Sequence, residues 1–331
     1  MTITPLTIGL LGCSHIAPVS ILQPVQEIDH MQVAAVAGRD ESRARAYAAK
    51  HGIPNAYGSY EELLRDPAID IVYIALANHA HRDWAVRAAE AGKHLLIEKP
   101  ICLTEAELKD IHLACRDNRV HCHEAIMVQH HPWQSRVREI IESGAYGRLL
   151  ALKTRISHPM RHADNYRFYP ELGGGVFRDE GPYWLQFVQA VAGLAPVSFV
   201  GRSDFGGPHG SDWRFEASLS LPSGVRASLH ASFDEAYQAT HWIELEQAKI
   251  RVKDFFRARL GRFKITLDIL DDADNRIDKI EFEPQNYYVN QLMFFSDVIA
   301  GLRPGIPDEQ VQARTRLIEA IYQSAALKEA L

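Results

Sequence analysis

DIVYIALANHAHRDWAVRAAEAGKHLLIEKP, residues 70–100, is the stretch whose reading decides the fold. DIVYIAL and KHLLIEK are continuous apolar runs of the kind buried on both faces of a sheet, and the segment between them is helical. Strand, helix, strand is the repeating unit of a parallel sheet. The alternation continues on both sides, with LTIGLLG, QVAAVAG and VHCHEAI as further strands. ESRARAYAAKHG is a helix that ends on a Gly stop, and SYEELLRD and TEAELKDIHLACRDN open with the capping boxes Ser59/Glu62 and Thr104/Glu107. Residues 1–124 are expected to form a doubly wound parallel sheet of the Rossmann type.

From about residue 147 the pattern changes. VRASLHASF (225–233) alternates, with Val225, Ala227, Leu229, Ala231 and Phe233 on one face, and it joins WRFEASLSLP (213–222) through Ser223-Gly224, a hairpin signal. LLALKTRIS, SFVGRSDF, HWIELEQ, KITLDIL and RIDKIEFEP are further strands, and helices are expected at 132–143, 181–192, 289–300 and 308–330. Residues 125–331 thus read as an α+β domain on a large, mostly antiparallel sheet. A chain of 331 residues suits two domains. The net charge of −6, without a basic run, gives no footprint for nucleic acid or a membrane surface. The first residues lack the features of a signal peptide, and no apolar run reaches bilayer-spanning length. Cys13, Cys102, Cys115 and Cys122 show no CxxC spacing and read as free thiols in a reducing cytoplasm.

The charge at the tip of the KHLLIEK strand needs a reason, because burying Glu98 and Lys99 beside Pro100 is costly unless they pair or act on something. The first strand suggests what they act on. It runs into Gly9-Leu-Leu-Gly12-Cys13-Ser14-His15-Ile16-Ala17, which sets Gly12, Ser14 and Ala17 against the dinucleotide fingerprint G-x-G-x-x-G/A. Ser14 departs from the usual Gly and brings a hydroxyl able to meet a phosphate. The second strand ends AVAGRD, where Gly38 and Arg39 replace the carboxylate that an NAD site uses, so NADP is favoured, with NAD possible. Asp40 either caps the next helix or reaches the ribose, and Arg43 reads as a solvated residue.

IALANHAHRDWAVRAAEAGKHLLIEKP (74–100) resembles the segment ending in EKP of the glucose–fructose oxidoreductase, inositol dehydrogenase and MocA (Gfo/Idh/MocA) family. HEAIMVQHHP (123–132) is similar to its entry to the second domain, and LGGGVFRDEGPYWLQ (172–186) to its GGGxLxDxGxHxxD segment. The resemblance runs through the whole chain. It implies an NADP(H)-dependent oxidoreductase that transfers a hydride between nicotinamide and a sugar or sugar-derived carbonyl or hydroxyl. A dihydrodiol or aldose dehydrogenase is the alternative, and a catalytically silent nucleotide-binding regulator is the alternative of another class. The resemblance places Lys99 beside the nicotinamide, with Glu98 and Pro100 setting the backbone, often through a cis bond before the proline. Asn78 falls on the cofactor-loop Asn, preceded by Ala77 where Pro is usual, and Cys13, His15, Ile16 and His81 join the cofactor contacts. The catalytic His of the family falls at Tyr183 and the Asp three residues later at Gln186, as in a branch that includes deoxysugar 3-ketoreductases and dihydrodiol dehydrogenases.

A carbonyl oxygen that becomes an alkoxide must gain a proton. Tyr183 is the expected donor, with Lys99 lowering its pKa, and the opposite assignment stays open. Gly173, Gly174 and Gly175 read as a permissive loop, Asp179 as a helix cap that also orients Lys99 or the substrate hydroxyl, and Pro182 as a first-turn residue. Arg161, Tyr166 and Arg167, with Tyr237, are candidate substrate contacts. His121, Cys122, His123 and Glu124 tempt a metal reading, but strand neighbours point to opposite faces and no HExxH or CxxC spacing is present, so no metal is expected. The second domain is expected to bind substrate and to assemble a homodimer or homotetramer, as the family uses this sheet.

Overall fold

The computed structural model describes residues 5–160 and 165–327. The chain forms two compact units, one of residues 1–130 with 286–312 and one of residues 131–285 with 313–331.

The first unit is built on β1 (Leu6–Leu11), β2 (Met31–Ala37), β3 (Asn55–Tyr57), β4 (Ile71–Ile74), β5 (His94–Glu98) and β6 (Cys122–Ala125), all paired in parallel in the order 3-2-1-4-5-6. β4 is buried at every position, as its unbroken apolar run requires. Helices α1 (Glu41–His51), α2 (Tyr60–Arg65), α3 (His81–Glu90) and α4 (Glu105–Asp117) connect the strands. Ser59 and Thr104 accept from the backbone of Glu62 and Glu107, the two capping boxes of the sequence. Between β1 and β2 there is instead a π turn, Pro18–Leu22, and a 3₁₀ turn, Pro24–Glu27, each opening on a proline. A proline has no N–H to continue a ladder, so the second one restarts the coil. The three-residue β3 was too short to show a period in the sequence.

The second unit opens with α5 (Trp133–Ser143) and holds an eight-stranded sheet. Its strands are β7 (Leu149–Ser157), β8 (Ser198–Arg202), β9 (Arg214–Ser220), β10 (Arg226–Ser232), β11 (Gln238–Leu245), β12 (Lys249–Lys253), β13 (Ile265–Leu270) and β14 (Arg276–Phe282), and α6 (Val176–Ala192) lies between β7 and β8 in the chain. The order is 14-13-12-11-7-10-9-8, antiparallel throughout except for the β7–β10 pair. The β9–β10 hairpin turns at Gly224, whose φ of +83° suits glycine. α6 packs on β7, β9 and β10, and α5 on β13. His241 lies between the rings of Phe187 and Phe255, at 3.9 and 4.0 Å, with its Nδ1 2.9 Å from the Thr154 hydroxyl. That burial keeps the imidazole neutral, its pKa well below the ordinary value.

The chain then returns to the first unit. α7 (Tyr287–Ile299) buries Leu292 and Phe295 with Ile8, Leu10, Tyr73 and Leu96, and α8 (Asp308–Ala326) follows. Among the described residues no helix is long and apolar enough to cross a membrane.

Candidate active site

In the first unit the loop after β1 turns at Gly12, with φ +101°. A side chain there would bring its Cβ to 2.9 Å from Leu76 and 3.0 Å from the Ala75 carbonyl, so only glycine fits. Ser14 Oγ accepts from the Ala17 N–H at 3.2 Å, and Tyr47 of α1 donates to the Ser14 carbonyl at 2.8 Å. The serine hydrogen is left to donate to an anion. His15 and Ile16 are exposed, Cys13 is half-buried with its thiol pKa raised by burial, and Ala17 is fully buried. Gly38 lies close to this loop: a Cβ there would sit 3.5 Å from Cys13 Sγ. Beyond it, Asp40 caps α1, its carboxylate accepting from the Arg43 N–H at 2.9 Å. Arg39 and Arg43 both favour the Tyr60 phenolate against the burial that raises its pKa, so two cations share this corner. The tight Gly12 turn and the Ser14 hydroxyl, with two cations near the end of β2, fit a dinucleotide.

The segment after β5 is held from three sides. Tyr73 of β4 donates to Glu98 in a short hydrogen bond, and its hydroxyl is 2.9 Å from the Ser20 hydroxyl. His81 is fully buried, with Nδ1 2.9 Å from the Pro100 carbonyl and Nε2 3.2 Å from that of Leu76. Burial drives its pKa down to about 4, so the ring is neutral and its single N–H serves one carbonyl at a time. Glu124 accepts from the Ile101 N–H at 3.1 Å. The Lys99–Pro100 bond is cis, and Lys99 is only 8% exposed. Asn78 is buried at the start of the 3₁₀ turn Asn78–Ala80.

His123 and Glu124, adjacent in β6, separate as the pleat requires. His123 Nε2 meets His130 Nε2 at 3.0 Å beside Phe294, whereas Glu124 serves the segment after Pro100. His121 stacks on His94.

In the second unit the residues gather on α6. The helix starts at Val176, not near 181 as the sequence suggested, so Pro182 lies inside it and Asp179 in its first turn. The reason is a cap supplied from far along the chain. The Val176 N–H donates to the Asp212 carbonyl at 2.8 Å, and the Phe177 N–H to the Asp212 carboxylate at 2.7 Å. Asp179 is therefore not the cap; its carboxylate accepts two hydrogen bonds from the Arg167 guanidinium, at 2.7 and 2.8 Å. The glycines before it are required by packing. A Cβ on Gly174 would lie 2.6 Å from the Tyr166 carbonyl, and one on Gly175 (φ +102°) 1.7 Å from Asp212 Oδ1.

Asp212 is fully buried, and burial pushes its pKa up to about 7. Tyr183, one helical turn beyond Asp179, is buried with its ring edge-on to Phe256 at 4.9 Å. Gln186 exchanges two amide hydrogen bonds, both 2.9 Å, with Gln134 of α5. His158, Asp179 and Glu180 present ligand atoms within 4.8 Å of one another, and the Arg167 fork already neutralises the middle carboxylate. The Arg167 guanidinium lies over the Tyr166 ring at 4.8 Å. Tyr237 is exposed and donates to Asp254 at 2.6 Å, its pKa raised by burial of the hydroxyl and by that carboxylate. Arg161 lies outside the described residues.

Each unit thus assembles its own group: Gly12–Ala17, Gly38–Arg39, Asn78, His81 and Glu98–Lys99 in the first, and Tyr166, Arg167, Asp179 and Tyr183 in the second. Tyr47, Tyr73, Ser20 and Asp212 are the supporting residues that the motifs did not single out. A hydroxyl within an apolar strand such as DIVYIAL was the one signal available for Tyr73.

Residues 6–126 match the oxidoreductase family with an NAD-binding Rossmann fold, and residues 135–251 match the GFO/IDH/MocA C-terminal domain. The chain is 31% identical to D-xylose 1-dehydrogenase (NADP(+)) 2 of Haloferax volcanii over 96% of each chain. It is 34% identical to the dTDP-3,4-didehydro-2,6-dideoxy-alpha-D-glucose 3-reductase of Streptomyces violaceoruber, over 72% of this chain and 70% of that one. Among solved structures, KijD10, a 3-ketoreductase from Actinomadura kijaniata in complex with NADP and TDP-benzene, superposes with a TM-score of 0.86 at 22% identity, covering 97% of this chain and 98% of that one. At that identity the likeness is one of fold.

Proposed function

The chain belongs to the Gfo/Idh/MocA family of NAD(P)-dependent oxidoreductases, and from that premise we propose that it transfers a hydride between NADP(H) and a carbonyl or hydroxyl carbon of a sugar-like substrate. The observation that carries the reading is the buried, braced Lys99 behind a loop that fits a dinucleotide. NADP(H), when bound, supplies or accepts the hydride. The rest falls to side chains. Ser14 and the backbone beside Gly12 hold the pyrophosphate, and Arg39 with Arg43 meets the 2′-phosphate. Lys99 polarises the reacting oxygen, Tyr183 donates the proton that this oxygen gains, and Asp179 orients the reacting hydroxyl. Tyr166 and Tyr237 contact the remaining hydroxyls.

The NADP-linked D-xylose dehydrogenase and the deoxysugar reductase among the relatives support a sugar as the substrate class. Self-association into a homodimer or homotetramer is proposed through the exposed face of the large sheet, which carries the Lys153–Glu244 and Arg155–Glu235 ion pairs. NADPH oxidation against a panel of keto-sugars, with NADP reduction by aldoses as the reverse arm, tests the activity; no turnover in either arm overturns it. Arg39→Ala should erase most of the preference for NADPH over NADH, read by fluorescence titration, and equal affinities in the unaltered protein refute the cofactor assignment.

A further inference from the structure

Arg167 and Asp179 form a two-point, partly buried ion pair in the second unit. Nε donates to Oδ2 at 2.7 Å and Nη2 to Oδ1 at 2.8 Å, a fork-on-carboxylate geometry that fixes both position and plane. Asp179 is 4% exposed, so its charge needs compensation that this guanidinium supplies, and the adjacent Glu180 is buried equally deeply. The backbone of Arg167 is fixed as well. Its carbonyl accepts from the Gly175 N–H at 2.9 Å, and its N–H donates to Asn165 Oδ1 at 3.1 Å. A Cβ on Gly174 would sit 2.7 Å from that carbonyl, so the glycine loop and Arg167 are packed as one piece. The loop thus carries the guanidinium to the first turn of α6, four residues before Tyr183.

We infer that Arg167 is a positioning residue: its guanidinium sets the Asp179 carboxylate in place on α6. The inference rests on the reading of Asp179 given under the proposed function. The Nε–Nη2 edge of the guanidinium is committed to Asp179 and Nη1 lies 3.5 Å from Asn165 Oδ1, so the strongest polar contact that Arg167 makes is with the carboxylate it would position. A cation of the same charge without the fork does not reproduce the geometry.

A double-mutant cycle on the full chain tests this. Arg167→Met is expected to lower kcat on the order of 10²-fold, the scale of a misplaced reacting group. NADPH affinity, which belongs to the first unit, and substrate KM should stay within about threefold. In the Asp179→Asn background, Arg167→Met should have almost no further effect. Guanidinium ion at millimolar concentration should restore part of kcat to Arg167→Ala and none to Arg167→Ala/Asp179→Asn. Multiplicative effects in the cycle, or a rise in KM at unchanged kcat, would make Arg167 a direct substrate contact and overturn the proposal. If Arg167→Met does not fold, Arg167→Lys serves the same cycle, since it keeps the charge and loses the fork. Normal kcat in Asp179→Asn would instead defeat the reading of Asp179 itself, a failure distinct from additivity in the cycle.

Discussion

Lys99 and Asp179 are both charges buried at the end of a core element, 8% and 4% exposed, yet the molecule holds them by different means. The backbone around Lys99 is braced on its flanks: Glu98 by Tyr73, the Pro100 carbonyl by His81, the Ile101 N–H by Glu124. The carboxylate of Asp179 is gripped directly by a guanidinium, and its helix is capped by a second buried carboxylate, Asp212. The first arrangement fixes the path of the chain on either side of Lys99. The second fixes the functional group itself and lets the glycine loop close around it. The flanking braces depend on hydrogen-bond geometry, whereas the paired charges depend on electrostatic balance, so the two regions should fail differently.

The largest expected failure is chemical. Lys99→Met should abolish turnover and weaken NADPH binding together, because one side chain serves both. Tyr183→Phe should lower turnover roughly 10²–10⁴-fold, the worth of a general acid, at unchanged nucleotide affinity. Stopped-flow rates beside nucleotide titrations separate the two, and near-normal turnover in Tyr183→Phe would reduce that residue to packing.

Next comes the glycine loop. Gly175→Ala places a methyl 1.7 Å from Asp212 Oδ1 at a φ of +102°, and should cost roughly 3 kcal/mol in denaturant unfolding. A loss below about 1 kcal/mol would mean that the loop yields, and the second region would not be the rigid one.

The Asp212 carboxyl tests electrostatic balance. Its folded pKa, about 7, lies above the unfolded value of 3.8, with burial the largest cause. Its contribution to stability is therefore complete below pH 3.8 and is lost as pH rises through about 7. Asp212→Asn keeps an acceptor for the helix cap and removes the titration. Relative to this variant, the unaltered protein should lose on the order of 2–3 kcal/mol between pH 5 and pH 7.5. Parallel stability curves across that window would count against a strained buried acid.

The smallest effect belongs to the flank of Lys99. Tyr73→Phe removes the hydroxyl shared by Ser20 and Glu98 and should cost about 1–2 kcal/mol. NADPH affinity should weaken severalfold, since the same hydroxyl links the dinucleotide loop to the Glu98-Lys99 segment. Unchanged affinity would show that the two are fixed independently.

The parallel sheet was legible because strands buried on both faces leave continuous apolar runs, and because Ser59 and Thr104 cap helices within three residues of themselves. The β9–β10 hairpin was legible for the same local reason, an alternation broken at Ser223-Gly224. Lys99, Gly12, Asp179 and Tyr183 could be singled out from their motifs. The start of α6 could not, since its cap at Asp212 lies 35 residues beyond Phe177. The three-residue β3 leaves too few positions for a period to appear.

By itself the sequence determined the two classes of sheet and the helix caps made by near neighbours, since each depends on spacing within a few residues, and its motifs singled out the candidate site residues. Only the tertiary structure decided which partner holds each of them: that Arg167 faces Asp179, that Tyr73 faces Glu98, and that Asp212 closes the helix on which Asp179 and Tyr183 stand. A buried polar group must find a partner wherever folding brings one, and the distance along the chain to that partner leaves no trace in local pattern.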